Sequence, residues 1–317
     1  MRTWRESNVS NQDSQITHTK QLDKGRLGLF FTLPAQTALL FIVVFPLLAS
    51  LYLSFTTWSP MTGRGTLWYQ AYQFWAWFSN YWNIITDSAF LLSLVRTVII
   101  VVVVVPVELL IGLGLAFLFL EKFPLKKLFH SVILMPMMIV PAVAGFIFYM
   151  LFQSAGPVNA ILSKILFVEI TTPWLTGSVT AMICVMLADI WQWTPLMFLI
   201  LLSGLMALPE DQLNAARILG ANWWQRFRMV TLPLLKPVIV IALILRGMEA
   251  IKIFDAIWLM TKGGPGTATE TISVYLTKEL RYLHWSWVAT AGVIVVILIS
   301  FASIHALKPI KEQEEQT

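Results

Sequence analysis

Six stretches of this chain stay apolar for at least the ~20 residues that a helix needs to cross a bilayer. They run from about Leu29 to Leu53, Phe90 to Leu120, Leu128 to Phe152, Ser178 to Leu205, Pro233 to Met260 and Trp285 to Leu307. Nothing else in the sequence narrows the fold as much. The expected fold is all-α and polytopic, with six transmembrane helices. Composition agrees, because only 12% of the residues are charged and mean hydropathy is +0.73, whereas a soluble chain carries roughly a quarter charged residues. The first run is also too long for the apolar core of a signal peptide. The predicted organisation is a polar tail at 1–27, a membrane domain at 28–307 and a second polar tail at 308–317.

Basic residues orient the spans. With both tails placed in the cytoplasm, the inner segments hold fourteen Lys and Arg, including Lys122, Lys126, Lys127, Arg217, Arg226 and Arg228, and the outer segments hold five: Arg64, Lys164, Lys262, Lys278 and Arg281. That excess is the positive-inside pattern, so both termini are expected in the cytoplasm. The outer segment from about Ser54 to Ala89 is crowded with aromatics such as Trp58, Trp68, Trp75 and Trp82. It is expected to form an interfacial belt, where amphipathic rings sit at headgroup depth, in preference to the other reading, a docking surface for an external partner.

Several kinds of chemistry have no residues to support them. Cys184 is the only cysteine, and His18, His130, His284 and His305 are scattered. No disulfide framework and no metal site are expected. A glycine-rich phosphate loop ending in Gly-Lys-Ser/Thr is also missing, so ATP and Mg, if used, belong to another subunit. The chain is not expected to be an enzyme, nor to bind nucleic acid.

The longest polar interruption in the second half is Leu208 to Pro237. Pro209, Glu210 and Asp211 suit a helix first turn, since proline lacks only an unpaired N–H there and acids favour the positive helix end. Gly220 suits a left-handed stop. A second short helix follows from Asn222, and Pro233 opens the next span. Asn214, Ala215, Ala216, Gly220, Val230, Leu232 and Pro233 stand at the spacing Glu-Ala-Ala, three residues, Gly, nine residues, Ile, one residue, Leu-Pro. This pattern resembles the signature of importer permeases of the ATP-binding cassette (ABC) class. Asn214 and Val230 depart from it.

Near the fifth span, Phe254-Asp255, Thr261, Gly263-Gly264-Pro265, Thr269 and Thr271 resemble the outer end of that span in permeases of the maltose, glycerol-phosphate and polyol importers. Asn80-Tyr81, Asp87 and Phe90 are similar to the start of the family's second span, with Arg96-Thr97 where Asn-Thr is expected. The resemblance implies a type I ABC importer permease fold in a bacterial inner membrane. Loop 208–233 then carries the coupling helix, with Asn214, Ala215, Ala216, Arg217 and Gly220 facing the ATPase. Implied partners are a second, homologous permease, an ATPase dimer, a periplasmic or extracellular solute-binding protein, the lipid bilayer and a carbohydrate substrate.

Polar residues inside spans are costly and seldom face lipid. Asp189, Gln192, Trp193 and Leu196 recur at i, i+3, i+4 and i+7, which puts an acid, an amide and an indole on one stripe. The stripe is either a sugar surface or a polar contact between helices. In the fifth span Arg246, Glu249, Lys252 and Asp255 alternate in sign every three residues. Steps of ~300° carry Arg246 and Asp255 to opposite faces, so the four cannot line one pore.

Arg246, Glu249, Ala250 and Ile253 share a face. The resemblance to maltose-type permeases places Gln192, Trp193, Leu196, Arg246, Glu249, Ala250 and Ile253 at or near the sugar site. Arg246 either binds an anionic sugar or neutralises Glu249, and neutralisation is expected because an unpaired intramembrane charge is expensive. The alternative is a secondary transporter coupled to ions through these charges, although no inverted repeat is detectable.

Overall fold

The computed structural model describes residues 31–61 and 77–314. Among them every regular element is helical: α1 (Phe31–Ser54), α2 (Trp77–Thr86), α3 (Ser88–Leu118), α4 (Lys126–Met138), α5 (Pro141–Leu151), α6 (Pro157–Leu166), α7 (Ser178–Met206), α8 (Glu210–Ile218), α9 (Trp223–Arg226), α10 (Leu232–Ile251), α11 (Asp255–Met260), α12 (Ile272–Arg281) and α13 (Trp285–Glu314). The tail at 1–27 lies outside the described residues, as do Trp68 and Trp75 of the expected aromatic belt. The closing helix continues past residue 307 to Glu314.

Five helical runs are long and apolar enough to cross a membrane, or six when the bent pair α4–α5 is counted as one span. α7 is the hub: 56% of its most apolar window is buried, against 6% for α1 and 11% for α13. α3 and α10 pack along α7, while α1 and α13 pair on the rim. Two apolar clusters flank the middle of the bundle. One holds Phe119, Phe198, Leu201 and Leu235 near loop 208–233, and the other holds Ile100, Val104, Val185, Ile257 and Met260 near loop 261–271.

The third span is not the straight helix expected over Leu128–Phe152. It breaks at Ile139 and Val140, both extended, and α5 leaves α4 at 97°. Pro141 is the cause, because its ring drives the preceding residue out of the helical region and it has no N–H to donate. The fifth span breaks too, between Ile251 and Asp255, although no proline or glycine stands there.

The carbonyls freed at both breaks are met by side chains from elsewhere, as membrane burial demands. Gln192 Nε2 donates to the Ile139 carbonyl at 2.9 Å, and Thr271 Oγ1 to that of Ile253 at 3.3 Å. The two outer halves, α5 and α11, lie against one another. A Cβ on Gly145 would come within 2.8 Å of Ala256 Cα, so only glycine permits this approach.

Two wide π-helical turns, Leu40–Val44 and Phe227–Thr231, each lie just ahead of a proline, Pro46 and Pro233. A widened turn relieves the clash between the proline ring and the preceding carbonyls. The second of these turns joins the polar loop to α10 and lets the chain pass into the span without a break.

Candidate functional site

Two places concentrate chemistry that the fold alone does not require. The first is in the middle of the bundle, where α3, α7 and α10 meet. Arg246, 1% exposed on α10, donates through Nε to Glu108 Oε2 at 2.7 Å and through Nη2 to Glu108 Oε1 at 2.9 Å. The same Nη2 also donates to Asp189 of α7. Glu108 is fully buried and Asp189 is 3% exposed. The indole of Trp193 covers the guanidinium, its ring centre 5.4 Å from the Arg246 Cζ, an attraction strengthened by desolvation. A bidentate arginine–carboxylate pair is the strong form of ion pair, and only a planar guanidinium makes it. Three spans are thereby fastened by one side chain.

This arrangement corrects the expected pairing of Arg246 with Glu249. Glu249 lies ~60° around the helix from Arg246 and turns outward, where it takes Lys252 Nζ at 2.8 Å. Those two side chains are 51% and 63% exposed. The shared face expected for Arg246, Glu249, Ala250 and Ile253 therefore divides. Arg246, Ala250 and Ile253 are buried, and Glu249 is not. On α7, Asp189 and Gln192 are occupied by Arg246 and by the Ile139 carbonyl, while Trp193 and Leu196 are half-buried.

Sequence reasoning missed Glu108. The signal was available: it is the only acid in the 31 residues of α3, and a lone intramembrane carboxylate demands a partner.

The second place is the loop that α8 begins. Glu210 and Asp211 occupy its first turn and Arg217 its last, matching the helix dipole at both ends. Gly220 has φ +78°. Around it the Ala221 N–H donates to the Ala216 carbonyl at 3.0 Å and the Gly220 N–H to that of Arg217 at 3.0 Å. These are the two bonds of a Schellman stop. Asn222 then opens α9 with a capping box: its Oδ1 accepts from the Gln225 N–H at 2.8 Å, and Gln225 Oε1 accepts from its N–H at 2.9 Å.

Asn214, Ala215 and Arg217 are exposed and Ala216 is half-buried. Beside them Ile218 and Leu219 are 86% and 85% exposed. Trp223, Trp224 and Met229 extend this apolar edge. A contiguous exposed apolar patch of this kind marks a surface built for another molecule. Behind α8 a hollow of about 330 Å³ separates it from the ends of α3 and α7. Arg226 lines the hollow, and its Nε is buried with no hydrogen-bond partner. The loop is held in shape by its own caps and rests on α3 through Phe117, whose ring meets those of Trp223 and Phe227 edge-on at 6.4 and 5.5 Å.

Near the opposite end of the bundle, Asn80 Nδ2 donates to the carbonyls of Ser54 and Thr56, Tyr81 bonds Ser54, and Asp87 caps α3 through the Phe90 N–H. Thr97 Oγ1 accepts from the Ile272 N–H at 2.9 Å. The turn at 261–271 carries Gly263 and Gly266 at positive φ, and Thr269 Oγ1 donates to the Gly264 carbonyl. These residues tie helix ends together.

Comparison with known proteins agrees with this geometry. The family described as "Binding-protein-dependent transport system inner membrane component" matches residues 108–309, from Glu108 to beyond the fifth span. The trehalose/maltose transport system permease protein MalF of Thermococcus litoralis is 32% identical over 303 residues, covering 93% of this chain and 97% of that one. The sulfoquinovosyl glycerol transport system permease protein SmoG of Agrobacterium fabrum is 32% identical over 300 residues, covering 93% and 94%. In fold, the chain is similar to one in the crystal structure of a bacterial alginate ABC transporter in complex with an alginate pentasaccharide-bound periplasmic protein. The TM-score is 0.74 at 19% identity, with 92% of this chain and 97% of that one covered. The chain belongs to the family of inner membrane components of binding-protein-dependent transport systems.

Proposed function

We propose that this chain is one membrane-spanning subunit of an ATP-driven sugar importer, forming part of the solute's path and coupling it to a cytoplasmic ATPase. The observation that carries this reading is the self-capped helix α8, with Ile218 and Leu219 laid open beside Ala215 and Ala216, inside the residues that the family matches. The sugar-transport names of MalF and SmoG support the choice of solute class. Hydrolysis takes place in a partner chain, where ATP and Mg are held.

The partners are a second, homologous permease, an ATPase dimer and an external solute-binding protein, the last of which accompanies the similar alginate transporter. Both termini face the cytoplasm, on the side of the Arg217, Arg226 and Arg228 loop. Asn214, Ala215, Ala216 and Arg217 dock on the ATPase, and Gly220 lets α8 turn back toward α9. Closure of the ATPase dimer moves α8, and the π-helical turn at Phe227–Thr231 passes the motion into α10 without a flexible joint. Arg246 carries it to α3 and α7, because Glu108 and Asp189 hold it on both. Trp193, Leu196 and Glu249 face the solute, while Asp189, Gln192, Arg246, Ala250 and Ile253 form the wall behind them.

Coupling to an ion through the fifth-span charges gains nothing from this geometry, since Arg246 and Glu249 take separate partners. Purification of the tagged chain from its native membrane in mild detergent, followed by mass spectrometry, tests the proposal. An ATPase and a second six-span permease are expected to come with it. A chain that purifies alone and transports in vesicles without ATP would overturn the proposal.

A further inference from the structure

Two loops meet at the end of the bundle that carries α8, and both are basic. Residues 119–127 hold Glu121 with Lys122, Lys126 and Lys127. Residues 207–237 hold Glu210 and Asp211 with Arg217, Arg226, Arg228 and Lys236. Cations therefore exceed acids by four, and none of these ten side chains forms an ion pair among the described residues.

The hollow of about 330 Å³ behind α8 gathers part of this charge. Arg217, Arg226, Glu121 and the Thr231 hydroxyl line it, over an apolar floor that includes Leu205. Arg226 is the telling member, because its Nε is buried with no partner. An unmet donor on a charged group is costly, and each one in a native fold calls for a cause. Water can meet one N–H, but it brings no charge to set against the excess. Arg217 borders both the hollow and the face turned to the ATPase. Its guanidinium has five N–H donors, and its contact with Asn214, at 3.5 Å, occupies one of them.

The chemistry that fits is a phosphodiester. Two guanidiniums and one carboxylate sum to one positive charge, the counterpart of one diester, and a guanidinium fork matches phosphate oxygens. Glu121 and Thr231 can accept from headgroup hydroxyls. The hollow lies where α3 and α7 end and α10 begins, which is headgroup depth for helices that span a bilayer. Trp223 and Trp224, 59% and 56% exposed beside it, suit that depth. The lining reaches the outer surface of the spans at Leu120, which is 43% exposed. Acyl chains have an apolar surface there.

We infer that the hollow behind α8 is a binding site for the headgroup of an anionic phospholipid of the phosphatidylglycerol kind, with Arg226 as its principal contact. Basic pockets between the ends of spans suit such headgroups. A lipid seated there stands between α8 and the ends of α3 and α7.

The test is lipid binding by the tagged chain, purified with the partners that accompany it and stripped of lipid in detergent. Fluorescent phosphatidylglycerol is the probe, and unlabelled phosphatidylglycerol, phosphatidylcholine and inorganic phosphate are the competitors. Saturable binding is expected, displaced by unlabelled phosphatidylglycerol and far less by the other two. Arg226→Gln is expected to weaken it about fivefold, the effect of one basic residue at a lipid surface. Arg228→Gln removes the same charge from the same loop but lies outside the lining, and is expected to leave binding unchanged. Glu121→Gln makes the lining more positive and is expected to tighten binding, a gain that a damaged fold cannot imitate. Equal displacement by phosphatidylcholine, equal loss from the two arginine variants, or no gain from Glu121→Gln overturns the inference. Displacement by inorganic phosphate assigns the hollow to a free anion and overturns the lipid as its occupant. None of these readouts needs transport, so the importer reading stands or falls separately.

Discussion

The trio in the middle of the bundle and the loop at 208–233 invert opposite rules. In the trio, charge sits where hydrocarbon surrounds the protein, and it is buried and partnered within the chain. In the loop, Ile218 and Leu219 stand 86% and 85% exposed at the end of a polar helix, with almost no cover from this chain. The first is an expense met internally, so its business is with the bundle itself. The second is an expense left open, so its business is with another molecule. Residues that hold this protein together and residues that connect it to partners are therefore distinguishable by whether their unfavourable surface is compensated within the chain.

The largest effect expected from breaking that contrast comes from the trio. Glu108→Ala leaves Arg246 with one of its two carboxylates in a dry site, and removing one member of a buried ion network costs about 3–5 kcal/mol. Thermal unfolding of the purified protein in detergent is expected to show a large fall in Tm. Replacing all three residues together, Glu108→Leu with Asp189→Leu and Arg246→Met, removes charge and countercharge at once, and is expected to recover most of that loss. A Glu108→Ala protein as stable as the parent would mean that the trio is not what fastens α3 to α10.

Gly220 inverts the pattern, with a modest effect on stability and a large one on function. Nothing lies within 4 Å of a Cβ placed there, so a substitution meets no clash and strain arises only from φ +78°. For a β-branched side chain in that region the cost is at least about 1–2 kcal/mol. Gly220→Val is expected to distort the end of α8, leaving the protein inserted and the complex hydrolysing ATP while sugar uptake is lost. Parallel measurement of ATP hydrolysis and uptake checks this, and retained uptake would detach α8 from coupling. A smaller effect is expected at the next cap. Asn222→Ala removes one half of the capping box, worth about 1 kcal/mol. Amide exchange is expected to accelerate in α9 while staying unchanged in α7.

Much of this was legible in the sequence, for reasons that differ between the two regions. The loop is specified locally: Pro209, Gly220 and Asn222 act on their immediate neighbours, so the helix–stop–helix order is visible in the residues themselves. The spans were legible from run length alone. The trio was not, because its members are brought together across 138 residues between Glu108 and Arg246 and 57 between Asp189 and Arg246. Local spacing pointed to Glu249, three residues away, and tertiary packing chose otherwise. The break at Pro141 had a local cause, but its angle depends on what α5 lies against. The break before Asp255 had no local cause at all: it exists where Thr271 and Ser273 reach back to the carbonyls of Ile253 and Ile251.

The smallest predicted effect concerns the one signature position where the loop departs in charge. Asn214 Oδ1 lies 3.5 Å from Arg217 Nη1, at the outer limit of a hydrogen bond. Asn214→Glu places a carboxylate three residues before that guanidinium on an exposed face. Such a pair adds only ~0.2–0.5 kcal/mol to a helix, because water screens it. Amide exchange within α8 is therefore expected to slow by no more than about twofold, and Tm to be almost unchanged. Uptake responds on different grounds. If the partner surface is apolar and meets Ile218 and Leu219, the new charge changes coupling little. If the partner presents a cation to this position, coupled uptake rises well beyond what twofold helix stabilisation provides. Measuring exchange and uptake on the same variant thus separates what position 214 does for α8 from what it does for the partner, which is the distinction the trio and the loop draw for the molecule as a whole.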